Sequence, residues 1–210
     1  MDRERITISI KKNVLEKIDR IIDGTSIRNR SHAVETLALK SLGSATSSQA
    51  VIMLGGDNAL KAIPAAKDYL PKLKDAGFDS VIIAVGFLAD KIKEKIGFGI
   101  ENDLAIKYND KGEGSGGALN LLKKDLKSTF IIINTTKSFD IDLKSLLEYH
   151  KEHKSKFTIA TDDIQSLVGI YVVEPEILSL IPRGFSMLEQ DLIPKLIKSK
   201  ELIVFPINKS

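Results

Sequence analysis

The sequence predicts an α/β protein of two domains, a small strand-helix-helix domain over residues 1–43 and a larger α/β/α domain over residues 50–210. Two observations predict this division. Residues 50–210 alternate apolar β-branched runs with amphipathic stretches, the pattern of a mainly parallel sheet covered by helices on both faces. Residues 44–49 are small and polar without apolar periodicity, which is typical of a linker.

The composition excludes several classes of protein. The 210 residues are 43% hydrophobic and 28% charged, so the chain is globular and not disordered. Cysteine is absent, which excludes disulfides, thiolate metal sites and a cysteine nucleophile. No apolar run is long enough to span a membrane and the N-terminus is too charged for a signal peptide. We therefore expect a cytoplasmic protein that makes no membrane contact.

In the larger domain, seven apolar runs are predicted to be strands and six amphipathic stretches to be helices. The strands are Ala50–Leu54, Ser80–Val85, Ala105–Tyr108, Phe130–Ile133, Phe157–Ala160, Leu167–Val173 and Leu202–Phe205. The helices are Ala65–Ala76, Ala89–Ile96, Ala118–Leu126, Leu143–His153, Glu174–Leu180 and Leu188–Ser199.

The smaller domain carries the whole charge surplus of the chain. The net charge is +3, and residues 1–43 hold nine basic and six acidic side chains. The remaining residues hold 22 of each sign. An excess of positive charge at one end indicates a nucleic acid or another acidic partner there.

The smaller domain begins with Arg5–Ile10, where polar and apolar residues alternate as in a half-buried strand. A helix is predicted from Asn13, with a capping box formed by Asn13 and Glu16, and a second helix from Asn29 or Ser31. A single strand cannot satisfy its own edge, and 43 residues make a marginal core. We therefore expect the strand to pair with the same strand of a second chain, giving a two-stranded ribbon and a homodimer.

This pattern resembles the ribbon-helix-helix family of DNA-binding regulators over essentially all of residues 4–43. The resemblance implies that the outward side chains of the ribbon enter the major groove of double-stranded DNA. It also implies that backbone amides at the start of the second helix hold a phosphate. The alternative is that the outward face is only the solvent-exposed side of a ribbon that serves dimerisation. The predicted DNA-binding residues are Arg5, Thr7, Ser9, Lys11, Lys12, Arg28, Asn29, Arg30 and Ser31.

Single motifs of the larger domain point to no familiar site. Gly112–Gly117 fits the G-x-G-x-x-G pattern, but the next predicted strand ends in Asn134 and two threonines and not in the acidic residue of a dinucleotide site. No G-K-[ST] sequence is present, which excludes a P-loop. His150 and His153 lie on a charged helix and are interpreted as solvated side chains and not as metal ligands. We expect no metal and no cofactor.

In chain order, however, the motifs resemble the sugar-phosphate nucleotidyltransferases, which join a nucleoside triphosphate to a sugar phosphate. The resemblance spans most of residues 50–207 and implies a three-layer, Rossmann-like fold. The motifs that carry it are Val51–Gly56, Gly77–Leu88, Gly114–Leu119, Ile133–Asn134, Asp140–Leu143, Gly169–Glu176 and Glu189–Leu196.

The sequence departs from that family where the family binds phosphate and metal. Asn58, Ala59 and Leu60 stand in place of the glycine, threonine and arginine of the family's first loop, and its lysine-proline loop is missing. Thr136 stands in place of the metal-binding aspartate, and the chain ends before the region that would bring a second one. Transfer of a nucleotidyl group depends on positioning and charge neutralisation. We therefore expect a domain without catalytic residues, which is not an enzyme.

Two glycine segments remain as candidates for binding a nucleotide or sugar nucleotide. Both are expected at the carboxyl edge of the sheet, where open α/β folds bind ligands. The alternative is that both are tight turns required by packing. The predicted ligand-binding residues are Gly55, Gly56, Asp57, Asn58, Gly114, Ser115, Gly116 and Gly117.

The resulting functional prediction is a transcriptional regulator, dimeric or tetrameric, that binds DNA through the ribbon. Its nucleotidyltransferase-like domain would sense a ligand or support oligomerisation. A first alternative is an antitoxin-like protein that neutralises a partner through its C-terminal domain. A second alternative is an active sugar-phosphate nucleotidyltransferase.

Overall fold

The computed structural model describes residues 6–22, 24, 27–43, 49–86, 88–97, 104–163 and 165–207. Its contacts divide the chain into two compact units, Met1–Thr46 and Ser47–Ser210, which are called the first and second unit below. Of the predicted linker, Gln49 is the first residue of a strand, and residues 44–48 lie outside the described residues.

The first unit contains two helices, α1 (Lys12–Arg20) and α2 (Arg30–Gly43). Asn29 caps α2, because its Oδ1 accepts a hydrogen bond from the His32 amide at 2.9 Å. The Arg30 guanidinium donates two hydrogen bonds of 2.7 Å to the two carboxylate oxygens of Asp19, which joins α2 to the end of α1. This bidentate pair connects the two helices at the surface of the first unit.

Two expectations for the first unit differ from the structure. The capping box is wrong, since α1 begins at Lys12 with Lys11 at its N-cap, and Asn13 therefore lies inside the first turn. Residues 6–10 form no strand in the single chain, and Arg5 lies outside the described residues. A strand requires a hydrogen-bonded neighbour, and the described part of one chain offers residues 6–10 none.

The second unit is built on a seven-stranded sheet. The strands are β1 (Gln49–Leu54), β2 (Ser80–Val85), β3 (Ala105–Asn109), β4 (Phe130–Asn134), β5 (Phe157–Thr161), β6 (Ile170–Val173) and β7 (Leu202–Pro206). Their order across the sheet is β3-β2-β1-β4-β6-β5-β7. All neighbouring strands pair in parallel except β6, which is antiparallel to both β4 and β5.

Helices cover both faces of this sheet. The helices are α3 (Ile63–Asp75), α4 (Ala89–Ile96), α5 (Gly114–Leu121), α6 (Leu143–Glu152) and α7 (Ile193–Ser199), with 3-10 helices at Leu122–Lys124 and Pro175–Leu180 and a π-helical turn at Leu188–Leu192. On one face, α3, α4 and α6 pack on a core that includes Ile52, Ile83 and Ile133. On the other face, α5 and α7 pack on Val51, Ile132 and Tyr171. The mixed α/β class with a mostly parallel sheet is thereby confirmed.

No described helix combines the length and the apolar character that crossing a bilayer requires.

Candidate functional site

The candidate site lies at the carboxyl edge of the sheet in the second unit. The chain passes from β1 outward through β2 to β3 and then returns to place β4 on the other side of β1. The crevice between the β1 and β4 ends is therefore the point at which the strand order reverses. Open α/β sheets bind ligands at such a point. Because β6 is antiparallel, it begins at this same edge, and Glu174, which follows its last residue, lies at the opposite one.

The loop after β1, residues Gly55–Ala62, is called the β1 loop. Its first four residues are exposed, while Ala59 is buried and anchors the turn. Gly56 has a φ of +75°, which disfavours any side chain, yet no atom lies within 4 Å of the place that a Cβ would take. The Asn58 carbonyl accepts hydrogen bonds from the amides of Lys61 and Ala62 at 3.0 and 3.1 Å, which leads the chain into α3. The predicted residues Gly55–Asn58 therefore form an open polar turn at the crevice.

The second predicted segment, Gly114–Gly117, forms the first residues of α5. The run Gly112–Gly117 that contains it is called the glycine turn. The amides of Gly116 and Gly117 donate to the Ser186 carbonyl at 2.8 and 3.3 Å, and the Ser186 amide donates to the Glu113 carbonyl at 3.2 Å. The chain itself therefore caps this helix N-terminus, and these two amides are not free to bind a ligand.

Packing also explains why the glycine turn contains glycines. A Cβ on Gly116 would lie 2.6 Å from Ser186 Oγ, and a Cβ on Gly117 would lie 2.7 Å from the Gly184 carbonyl oxygen. A Cβ on Gly114 would overlap the Ser186 carbonyl oxygen. The structure thus supports the packing alternative for these three glycines. Ser115, which is half-buried, retains a side chain at the crevice.

Glu189, on the π-helical turn, connects three parts of the site. Its Oε1 accepts hydrogen bonds of 3.0 Å from Asn134 Nδ2 and from the Tyr171 hydroxyl. Its Oε2 lies 3.5 Å from Ser115 Oγ. We call Ser115, Asn134, Tyr171 and Glu189 the Glu189 cluster. Burial, together with the neighbouring carboxylate of Glu189, raises the pKa of the Tyr171 hydroxyl, so it remains a donor at neutral pH.

The loop after β4 satisfies its own polar groups. Asn134 Oδ1 accepts from the Thr136 amide at 2.9 Å and from its hydroxyl at 2.7 Å. Thr135 is buried and donates from its hydroxyl to the Met53 carbonyl at 2.6 Å. The loop is therefore fixed against the end of β1, and this fixes one wall of the crevice.

The described residues bring together no group of three His, Cys, Asp or Glu side chains that could hold a metal ion. Asp142 caps α6, accepting from the Lys144 amide at 3.0 Å and the Ser145 hydroxyl at 2.7 Å, and these bonds lower the pKa of its carboxyl group. Asp140 is paired with Lys72 at 3.4 Å. Both aspartates therefore serve the local structure of α6 and α3.

The residues predicted to bind DNA lie on the first unit. Arg30 pairs with Asp19, and Asn29 caps α2, as described above. The other described members are exposed, namely Thr7, Ser9, Lys11, Lys12, Arg28 and Ser31.

The sequence predicts a solvated side chain for His150, and the structure shows that this prediction is wrong. His150 is only 3% exposed, with Nδ1 2.7 Å from Thr158 Oγ1 and Nε2 3.2 Å from Glu174 Oε1. Burial lowers its pKa although Glu174 acts in the opposite direction. The signal in the sequence was the apolar spacing of Leu143 and Leu146, which lie on the same buried helix face.

Comparisons with known proteins relate the chain to enzymes. No family model matches it. It is 24% identical over 176 residues to mannose-1-phosphate guanyltransferase 2 of Candida glabrata, covering 64% of this chain and 48% of the relative. It is 25% identical over 185 residues to the UTP–glucose-1-phosphate uridylyltransferase of Synechocystis sp., covering 65% of this chain and 48% of the relative. The chain spans about half the length of the curated relatives it matches.

Solved structures share the fold of the second unit. A protein described as a glucose-1-phosphate thymidylyltransferase from Bacillus anthracis matches with a TM-score of 0.65 at 17% identity, covering 77% of this chain and 87% of that one. HddC from Yersinia pseudotuberculosis, complexed with GMP-PN, matches with a TM-score of 0.57 at 18% identity, covering 76% and 90%. The second unit is nucleotidyltransferase-like.

These relatives correct three predictions. They are named as enzymes of nucleotidyl transfer, so the main prediction of a DNA-binding transcriptional regulator, with double-stranded DNA as its partner, is wrong. The prediction that the domain is not an enzyme is contradicted as well, because the relatives that it matches are named as enzymes. The findings favour the second alternative, a sugar-phosphate nucleotidyltransferase. The order of motifs along the larger domain is therefore a stronger indication of function than the basic segment at residues 1–43 or the replaced motif residues.

Proposed function

We propose that the second unit binds a nucleoside triphosphate and a sugar phosphate in the crevice between β1 and β4 and transfers the nucleotidyl group to the sugar phosphate. The names of the relatives and the shared fold support this proposal. The observation that carries it is the open β1 loop, since Gly55–Asn58 are exposed at the point where the strand order reverses.

In this reaction a phosphate oxygen of the sugar phosphate attacks the α-phosphorus of the triphosphate. A new P–O bond forms, the bond between the α- and β-phosphates breaks, and pyrophosphate leaves with the electron pair. The protein has to align the two phosphates and offset their charge. Lys61 is the basic side chain of the β1 loop and is exposed, next to Leu60 where the family has its arginine. We assign to Lys61 the role of the cation that contacts the triphosphate.

The metal that the family implies finds no prepared site in the described residues. Asn134, Thr135 and Thr136 offer neutral oxygens whose partners are already assigned, and no acidic group of three is assembled. The roles proposed here rest on Lys61 and on the loops that shape the crevice.

The test is a two-part measurement on the purified full chain. Isothermal titration with GTP, UTP and dTTP detects nucleotide binding, and pyrophosphate release on addition of glucose 1-phosphate or mannose 1-phosphate detects transfer. We expect Lys61→Ala to weaken triphosphate binding about tenfold, because it removes one charge-assisted contact. Lys151→Ala is the control, because Lys151 is also exposed but lies on α6. Failure of the wild-type chain to bind any of the three nucleotides would overturn the proposal.

For the first unit we propose the ribbon-helix-helix fold, in which two copies share a two-stranded ribbon. Ile6 and Ile8 support it, because they are 73% and 52% exposed in the single chain and alternate with polar residues. Sedimentation equilibrium of the full chain should give a dimer that Ile8→Asp dissociates and Thr7→Ala leaves intact. A monomeric wild-type chain at micromolar concentration would contradict this fold.

A further inference from the structure

Glu189 occupies an unusual position for an acidic side chain. It lies on the π-helical turn Leu188–Leu192, a rare local geometry that is often found at functional sites. Its side chain is half-buried and turned toward the sheet edge, where it contacts residues from α5, β4 and β6. The turn itself is held by Asp191, whose carboxylate accepts from the Met187 amide at 2.8 Å.

The carboxylate of Glu189 is held by neutral donors alone. No ion pair between the residues that the structure describes includes Glu189. Its recorded partners are the amide of Asn134 and the hydroxyls of Tyr171 and Ser115. Acidic side chains are seldom buried without a charged partner. Such a choice of residue is expected where function requires it.

The contacts of Glu189 determine the orientation of two groups at the crevice. Asn134 Nδ2 donates to Glu189 while Asn134 Oδ1 accepts twice from Thr136, so the amide of Asn134 has one orientation only. Ser115 Oγ points toward Glu189 and also accepts from the Leu188 amide at 2.9 Å, which fixes the first turn of α5 against the π-helical turn. Glu189 therefore ties the end of β4 to the start of α5.

We propose that Glu189 is a positioning residue of the crevice, whose carboxylate sets the spacing between the β4 loop and the start of α5 that a bound nucleotide requires. The inference rests on the proposed function, since it assumes that a nucleotide is bound in this crevice. Glu189 does not contact the reacting phosphates in this role. It acts through Asn134 and Ser115.

The experiment compares Glu189 with a carboxylate of similar surroundings at the other edge of the sheet. Glu174 accepts from the Thr129 hydroxyl at 2.7 Å and lies 3.2 Å from His150, but it follows the end of β6 and is remote from the crevice. Glu189→Ala and Glu174→Ala both remove a half-buried acceptor of hydrogen bonds. Titration with GTP, UTP and dTTP is carried out at a temperature at which circular dichroism shows each variant to be folded.

Glu189→Ala is expected to weaken nucleotide binding by about tenfold or more, as for loss of hydrogen bonds to a charged group, while Glu174→Ala leaves affinity within about twofold of the wild type. Glu189→Gln retains an acceptor for Asn134 and Tyr171 and is expected to restore most of the affinity. Tyr171→Phe removes, with little change of shape, the hydroxyl that donates to Glu189 and to the Leu167 carbonyl, and it is expected to weaken nucleotide binding about threefold. This variant provides the test where Glu189→Ala does not fold.

The outcomes separate this inference from the proposed function. A wild-type chain that binds none of the nucleotides overturns both. Binding by the wild type with equal affinities in the Glu189 and Glu174 variants overturns only the role of Glu189. An equal loss in both variants also overturns it, because the effect would then follow general stability and not the crevice.

Discussion

Gly114→Ala should lower the free energy of unfolding far more than Gly56→Ala, although both glycines have a φ of +75°. The backbone strain of a left-handed alanine is the same at both positions, about 1 kcal/mol, and the stiffer unfolded chain returns roughly 0.5 kcal/mol of it. At Gly56 nothing else is lost, because no atom lies within 4 Å of the added Cβ. The net loss of unfolding free energy for Gly56→Ala is therefore about 0.5 kcal/mol.

At Gly114 the added Cβ overlaps the carbonyl oxygen of Ser186, a residue that is 0% exposed and cannot move into solvent. Overpacking of this kind adds about 1–3 kcal/mol. The same carbonyl accepts from the amides of Gly116 and Gly117, and weakening these bonds adds about 1 kcal/mol for each. We expect Gly114→Ala to lower the unfolding free energy by about 3 kcal/mol or more.

Tyrosine fluorescence during urea unfolding measures this difference in the second unit alone. The chain has no tryptophan, and its four tyrosines all lie in that unit, at Tyr69, Tyr108, Tyr149 and Tyr171. The reasoning would be refuted by equal midpoint shifts in the two variants, because then the contact with Ser186 would contribute nothing.

Three further outcomes are expected. Burial lowers the pKa of His150, so as the pH falls the unfolded chain binds a proton at this residue before the folded chain does. The free energy of unfolding is therefore highest above the ordinary histidine pKa of about 6.5 and decreases as the pH falls below it. His150→Gln should flatten this slope in urea titrations, and an unchanged slope would contradict the assignment. Tyr149→Phe removes the hydroxyl that donates to the Val204 carbonyl at 3.1 Å, and it should cost about 1 kcal/mol by thermal unfolding without changing nucleotide affinity. Leu73→Ala, at a fully buried position, should cost about 2–5 kcal/mol, whereas Leu180→Ala, 43% exposed, should change stability by less than about 1 kcal/mol.

Elements with a clear apolar period could be predicted from the sequence. β2 and α4 begin and end at the predicted residues. A run of buried Ile and Val indicates a strand for β2, and a regular apolar stripe indicates a helix for α4. The sequence predicts that α5 begins at Ala118, later than its observed start at Gly114, because glycines are poor helix formers. In the structure the Ser186 carbonyl caps the helix at Gly116 and Gly117, a contact that no local pattern reveals.

The candidate site shows the same limit. Gly55–Asn58 could be predicted as an open turn after a strand, because glycines and polar residues following an apolar run indicate one. The role of Glu189 could not, because its partners Ser115, Asn134 and Tyr171 become neighbours only through the strand order. His150 was misplaced for a related reason, since its partners Thr158 and Glu174 belong to other elements.

The long-range contacts of Glu189 affect the order in which the protein folds. Ser115 and Glu189 are 74 positions apart, and Asn134 and Glu189 are 55 apart, so these contacts close long stretches of chain. Contacts between distant positions form slowly, because the entropy of closing the intervening loop opposes them until the elements between have ordered. The crevice is therefore among the last parts of the second unit to form. During synthesis β1, β2 and β3 emerge long before the π-helical turn Leu188–Leu192, so the crevice is completed only after Glu189 has left the ribosome and docked.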